Sequence, residues 1–147
     1  MVWLDEKQTS HATSIGDWFM VQRILLVDDE VYTRELYEEL LRGEGFDVVA
    51  VGDGEVGLVE AVKGGFDLIL LDIIMPKKDG VSFLREYNAI KPQKPNGSIV
   101  MLTVLGEEPV IKSCLELGAA GYLIKSELTP DQVLKEVKTY LSSSVQT

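Results

Sequence analysis

Residues 68–76 read LILLDIIMP, an apolar run with one carboxylate, Asp72, set in its middle. A short apolar run bounded by polar residues suits a strand buried on both faces, the kind found in parallel sheets covered by helices. Asp72 then stands where burial disfavours charge. Either it is a strand-end polar residue that reaches water, or it performs chemistry, and its neighbours in the chain bear on the choice.

Working outward, four further β-rich runs lie at 23–27, 47–51, 98–102 and 121–124, with the quoted strand at 67–71. The second is the least apolar and suits a sheet edge. Helical periods separate them. Val31, Leu36, Leu40 and Leu41 suggest one apolar face; Val56, Val59 and Val62 a second; Val81, Leu84 and Tyr87 a third; Val110, Ile111, Cys114 and Leu117 a fourth. The fifth helix is marked by Thr129 as N-cap, Pro130 at the first helical position and Gln132 at capping-box spacing, with Val133, Leu134, Val137, Tyr140 and Leu141 as its stripe. Five strands alternating with five helices require crossover connections and therefore a parallel sheet covered on both faces. The fold class is doubly wound α/β.

Composition agrees with one globular domain. The chain has 147 residues, 46% of them hydrophobic, enough for a single sizeable core. Its formal charge of −10 argues against direct binding to nucleic acid or to an anionic membrane, both of which need clustered Lys and Arg. Cys114 is the only cysteine, so no intrachain disulfide can form and the cytoplasm is the expected location. Residues 1–19 carry Asp5 and Glu6 where a secretory leader would be basic, and no apolar run approaches bilayer-spanning length, so no membrane insertion is expected. This segment, with Trp3, His11 and Trp18, reads as a flexible extension, the alternative being that Trp18 and Phe19 pack on the domain or a partner. The domain is expected over 20–142, followed by a polar tail at 143–147, with no room for a second domain.

Polar residues cluster at the strand ends. Asp28 and Asp29 follow the first strand, Asp72 the third, Thr103 the fourth and Lys125 the fifth. In a parallel sheet these ends point the same way, and open α/β sheets bind ligands there. Three close carboxylates require a proton or a cation among them. An oxygen-only set without His or Cys favours Mg2+. Lys125 adds a positive charge and Thr103 a hydroxyl, the groups that hold a phosphoryl group, and a carboxylate can itself be the nucleophile. Taken singly, each has a blander reading: a helix cap for Asp28 and Asp29, a strand-end residue for Asp72 and Thr103, a solvated lysine for Lys125.

The blocks RILLVDDE, DLILLDIIMPKKDG, IVMLTV and LELGAAGYLIK resemble those of a response-regulator receiver domain, and the resemblance runs from about Val21 to Leu141. It implies a flavodoxin-like five-stranded sheet of order 2-1-3-4-5 flanked by five helices. It also implies an activity: phosphate is accepted from a histidine kinase or phosphotransfer protein, and the charged state binds a downstream protein target or forms a phosphorylation-dependent dimer. By position, Asp72 would be the acceptor. Asp29, Asp72 and the Ile74 carbonyl would ligate Mg2+, Asp28 would act mainly through water, and Thr103 and Lys125 would bind phosphoryl oxygens. Thr103 and Tyr122 would be the coupled switch pair that alters the surface of the fourth helix, fifth strand and fifth helix.

Three departures stand out. Val104 follows Thr103 where the family usually has a small residue, narrowing access to Asp72. Ser126 follows Lys125 in place of proline, which removes the main reason to expect a cis peptide. Ile74 and Leu105 are apolar where a polar side chain would orient an attacking water, implying slow self-dephosphorylation. Lys77 and Lys78 read as a solvated basic pair. A haloacid-dehalogenase-like phosphatase is the competing enzyme reading, but it needs a second acid where Ile74 stands. A receiver-like binding module that takes no phosphate is the third.

Overall fold

The computed structural model describes residues 21–104 and 106–146. The expected extension at 1–19 with its tryptophans, together with Leu105, lies outside the described residues, as does residue 147 of the expected tail.

Five strands form one parallel sheet in the order β2-β1-β3-β4-β5: β1 (Arg23–Val27), β2 (Asp47–Val51), β3 (Leu68–Leu71), β4 (Ser98–Thr103) and β5 (Gly121–Ile124). Helices alternate with them: α1 (Val31–Gly43), α2 (Gly54–Lys63), α3 (Gly80–Ala89), α4 (Glu108–Glu116) and α5 (Pro130–Gln146), with a short 3-10 turn at Lys125–Glu127. The doubly wound class and its strand order are as expected. Every residue of β3 is buried, whereas β2 at the edge buries only Val48 fully.

Side-chain alternation along each strand feeds two cores. Leu25, Val27, Ile69, Leu71 and Met101 pack with Leu58 and Ala61 of α2, Phe83 and Leu84 of α3, and Cys114 of α4. Ile24, Leu26, Leu68, Leu70 and Leu102 pack with Tyr37 and Leu41 of α1 and with Val133, Val137 and Leu141 of α5. The α5 capping box forms as expected: the Gln132 amide donates to Thr129 Oγ1 at 3.2 Å and the Thr129 amide to Gln132 Oε1 at 2.8 Å. No cis peptide occurs among the described residues.

Local expectations shift in four places. β3 begins at Leu68 rather than Asp67, whose side chain instead accepts from the Arg23 amide at 2.8 Å. β4 includes Thr103, because the ladder with β5 continues to the pair Thr103–Ile124. In α2, Val56 and Val59 are exposed; the buried stripe is Gly54, Gly57, Leu58 and Ala61, small residues that let the helix approach the sheet closely. In α1, Val31 is exposed and Tyr37 is buried in its place, an aromatic body whose phenol a pattern of aliphatic residues passes over.

Candidate phosphoryl and metal site

The register of the sheet assembles the site. Val27 pairs with Leu71, Leu71 with Met101 and Met101 with Tyr122, a row across four strands. Asp28 and Asp72 stand one residue past that row, Thr103 two and Lys125 three. The backbone holds the two acids side by side, with the Asp28 amide donating to the Val51 carbonyl at 3.1 Å and the Asp72 amide to the Val27 carbonyl at 3.0 Å.

Lys125 closes the arrangement from β5. Its ammonium donates to Asp28 Oδ2 at 2.8 Å and to Asp72 Oδ2 at 3.1 Å. The remaining oxygens take backbone donors: Asp28 Oδ1 accepts from the Glu30 amide at 3.0 Å and Asp72 Oδ1 from the Ile73 amide at 2.7 Å. Burial is deep, with Asp28 at 0%, Asp72 at 5% and Thr103 at 1% relative exposure, so water does little to screen these charges. Burial is the main cause that pushes the Asp72 carboxyl up to about 6; Lys125 opposes the rise and Asp28 adds to it. Burial alone would depress the Lys125 ammonium, yet its hydrogen bonds and charge interactions with Asp28 and Asp72 raise it above its ordinary value.

One carboxylate oxygen from each of Asp28, Asp29 and Asp72 lies within 4.8 Å of the others. The set is hard and oxygen-only, beside an open cleft of about 380 Å³ lined by Asp29, Glu30, Asp72, Ile74, Thr103, Val104 and Lys125. These residues fit a small divalent cation of the Mg2+ type, which keeps several waters and takes few protein ligands.

The loop after Asp72 is folded tightly. The Gly80 amide donates to the Ile73 carbonyl at 2.7 Å, and a Cβ at Gly80 would stand 2.5 Å from the Asp72 carbonyl oxygen, so only glycine allows this return. Ile74 is 66% exposed and lines the cleft with half-exposed Val104. Tyr122 on β5 is 43% exposed. Lys78 is not simply solvated, since it pairs with Glu86, and Lys77 lies 3.6 Å from Asp53.

All five predicted polar residues therefore meet at one end of the sheet. Two supporting residues escaped the sequence reading. Arg34 of α1 donates to the Asp28 carbonyl at 2.8 Å and packs on Gly52, tying the loop after β1 to that after β2. Its only sequence signal is its place on the second turn of the helix that follows Asp28 and Asp29. Ser126 donates through Oγ to the Val104 carbonyl at 2.9 Å, a long-range contact that spacing does not reveal.

Comparison with known proteins agrees with this geometry. Residues 24–138 match the family model described as the response regulator receiver domain. The chemotaxis protein CheY of Treponema pallidum is 34% identical over 122 residues, which cover 81% of this chain and 82% of that protein. The transcriptional regulatory protein CpxR of Escherichia coli is 41% identical over 105 residues, covering 71% of this chain but 43% of that longer protein. Among solved structures, the CheX–CheY–BeF3–Mg complex of Borrelia burgdorferi matches with a TM-score of 0.72 and 29% identity over 84% of this chain and 92% of the matched one. The chain belongs to the response-regulator receiver-domain family of two-component signalling systems.

Proposed function

We propose that Asp72 is the phosphoryl acceptor of this receiver domain. The observation that carries the reading is the Lys125 ammonium held between Asp28 and Asp72 at 2.8 and 3.1 Å, beside buried Thr103. Receiver domains are regulatory rather than metabolic: they take phosphate from histidine kinases or phosphotransfer proteins and act on downstream targets. Here an Asp72 oxygen attacks the donor's phosphorus; the new O–P bond forms as the donor's P–N bond breaks, and the leaving nitrogen takes a proton from solvent. At neutral pH the carboxyl is mostly ionised and so competent to attack. Lys125 and Thr103 donate to the phosphoryl oxygens, so the protein's work is positioning and charge neutralisation.

Asp29, Asp72 and the Ile74 carbonyl are the proposed Mg2+ ligands, with Asp28 acting mainly through a bound water. The ion supplies neutralisation of the charge that gathers on phosphoryl and carboxylate oxygens. The CheX–CheY–BeF3–Mg assembly supports both this ion and a protein as the reader of the charged state. A histidine kinase or phosphotransfer protein as donor, a downstream protein as target, a phosphorylation-dependent dimer and a cytoplasmic location complete the proposal; among the described residues no helix is long and apolar enough to cross a membrane.

Switching is proposed to run through Thr103 and Tyr122. Thr103 moves toward the phosphoryl group and the exposed Tyr122 ring turns inward, altering the surface of α4, β5 and α5. Ile74 on the rim has no group to orient an attacking water, which supports a long phosphoryl lifetime. Intact-mass measurement after treatment with acetyl phosphate and Mg2+ tests the reading: a single stable adduct on the native chain and none on Asp72→Ala is expected. Multiple turnover of a generic phosphate ester would favour a phosphatase instead, and no adduct at all would favour a phosphate-independent binding module.

A further inference from the structure

We infer that Ser126 is a positioning residue that locks Thr103 and Lys125 into one rigid unit, an inference that rests on the phosphoryl-acceptor reading above. The β4–β5 ladder ends at the pair Thr103–Ile124. One residue past Thr103 is Val104, and two past Ile124 is Ser126. With no further backbone pairing in the ladder, the two strand ends would be free to part there without another tie. Instead the Ser126 hydroxyl donates to the Val104 carbonyl at 2.9 Å, extending the coupling beyond the ladder by a side chain.

A second contact reinforces the first. Gly106 lies so close to β5 that a Cβ there would stand 2.3 Å from Ile124 Cδ1. Gly106 thus rests on the Ile124 side chain, and Val104 is fastened by Ser126. Between Ile124 and Ser126 stands Lys125, whose ammonium is fixed on Asp28 and Asp72. The two groups that donate to phosphoryl oxygens, from different strands, are therefore held at a set separation. A tetrahedral oxyanion bound by both then requires only the Thr103 side chain to turn toward it, with the backbones of both donors already in place.

Beryllofluoride binding in Mg2+ gives the test, because it engages the site without bond formation. Ser126→Ala is expected to weaken beryllofluoride affinity by about two- to tenfold, the span one neutral hydrogen bond supports. Mg2+ affinity measured without beryllofluoride should stay unchanged. Ser126→Thr, which keeps the hydroxyl, should restore native affinity. Native beryllofluoride affinity in Ser126→Ala, or equal loss in Ser126→Ala and Ser126→Thr, would overturn the inference while leaving the phosphoryl-acceptor reading intact. A native chain that binds no beryllofluoride would overturn both.

Discussion

The two ends of this sheet bury polar atoms against the same pair of cores and do so in opposite ways. At the amino end the loop 91–97 is stitched by neutral groups. Asn96 accepts from the Phe66 amide at 3.0 Å and donates to the Ala61 carbonyl at 2.8 Å and the Tyr87 hydroxyl at 2.9 Å. The Gly97 and Gln93 amides donate to the Phe66 and Val62 carbonyls at 2.7 and 2.8 Å. At the carboxyl end two buried carboxylates share one ammonium and a third, Asp29, stands beside them. The loop at the amino end satisfies its own polar atoms with neutral groups, and the charges there, Arg23 with Asp47 and Asp67, are already matched by partners. The carboxyl end keeps excess negative charge, which a proton, a cation or a change in Asp72 can relieve, and that susceptibility is what a signalling site needs.

The sharpest way to break the carboxyl end is Lys125→Ala. It leaves two buried acids without their cation, and removing one partner of a buried ion pair destabilises by about 3 kcal/mol. Urea unfolding at pH 7.5 in EDTA should show that loss. At pH 5 the loss should shrink, because Asp72 then carries a proton in place of its partner's charge. Equal losses at both pH values would mean that Lys125 contributes by packing alone.

Asn96→Ala attacks the amino end in the same assay. It orphans the Phe66 amide and the Ala61 carbonyl, which should cost about 2 kcal/mol. Here the loss should not vary between pH 5 and 7.5, and phosphoryl uptake from acetyl phosphate should be unchanged. A pH-dependent loss would show that the two ends are not independent.

Asp72→Asn reverses the sign. A carboxyl raised from 3.8 to about 6 binds its proton more tightly in the folded state, so its stabilising contribution is complete below pH 4 and is lost as pH rises past 6. At pH 7.5 without metal the ionised Asp72 is therefore a burden, and a neutral amide of the same shape should raise stability by about 1–2 kcal/mol, within the roughly 3 that such a shift allows. The gain should vanish near pH 4. A destabilised Asp72→Asn at pH 7.5 would mean that the Lys125 attraction outweighs burial.

Legibility from sequence followed the same division. Strand-end positions are fixed by register, and register follows the apolar runs, so Asp28, Asp29, Asp72, Thr103 and Lys125 could be gathered from order alone. The inward faces of α1 and α2 were harder. Gly57 and Ala61 are buried because they are small, a property that a search for large apolar side chains inverts, which is why exposed Val56 and Val59 stood in for them. Side-chain bonds leave no periodic trace: nothing in the apolar pattern marks Asn96 or Arg34, and Ser126 reads only as the absence of a proline.

The smallest effect tests whether the carboxyl end also holds backbone cost. Lys77, in the loop that carries Ile74, has φ 68°, the one positive value outside glycine among the described residues. An L-residue in that region costs roughly 1–2 kcal/mol, and glycine avoids the cost while giving back part of it as greater freedom in the unfolded chain. The Lys77–Asp53 contact is long, at 3.6 Å, and its lysine is largely exposed, so it adds little. Lys77→Gly should therefore stabilise by about 0.5–1 kcal/mol, read as a higher urea midpoint at unchanged slope. A lower midpoint would show that the contact with Asp53 outweighs the backbone cost, and that this loop is held by its side chains rather than against its own dihedral preference.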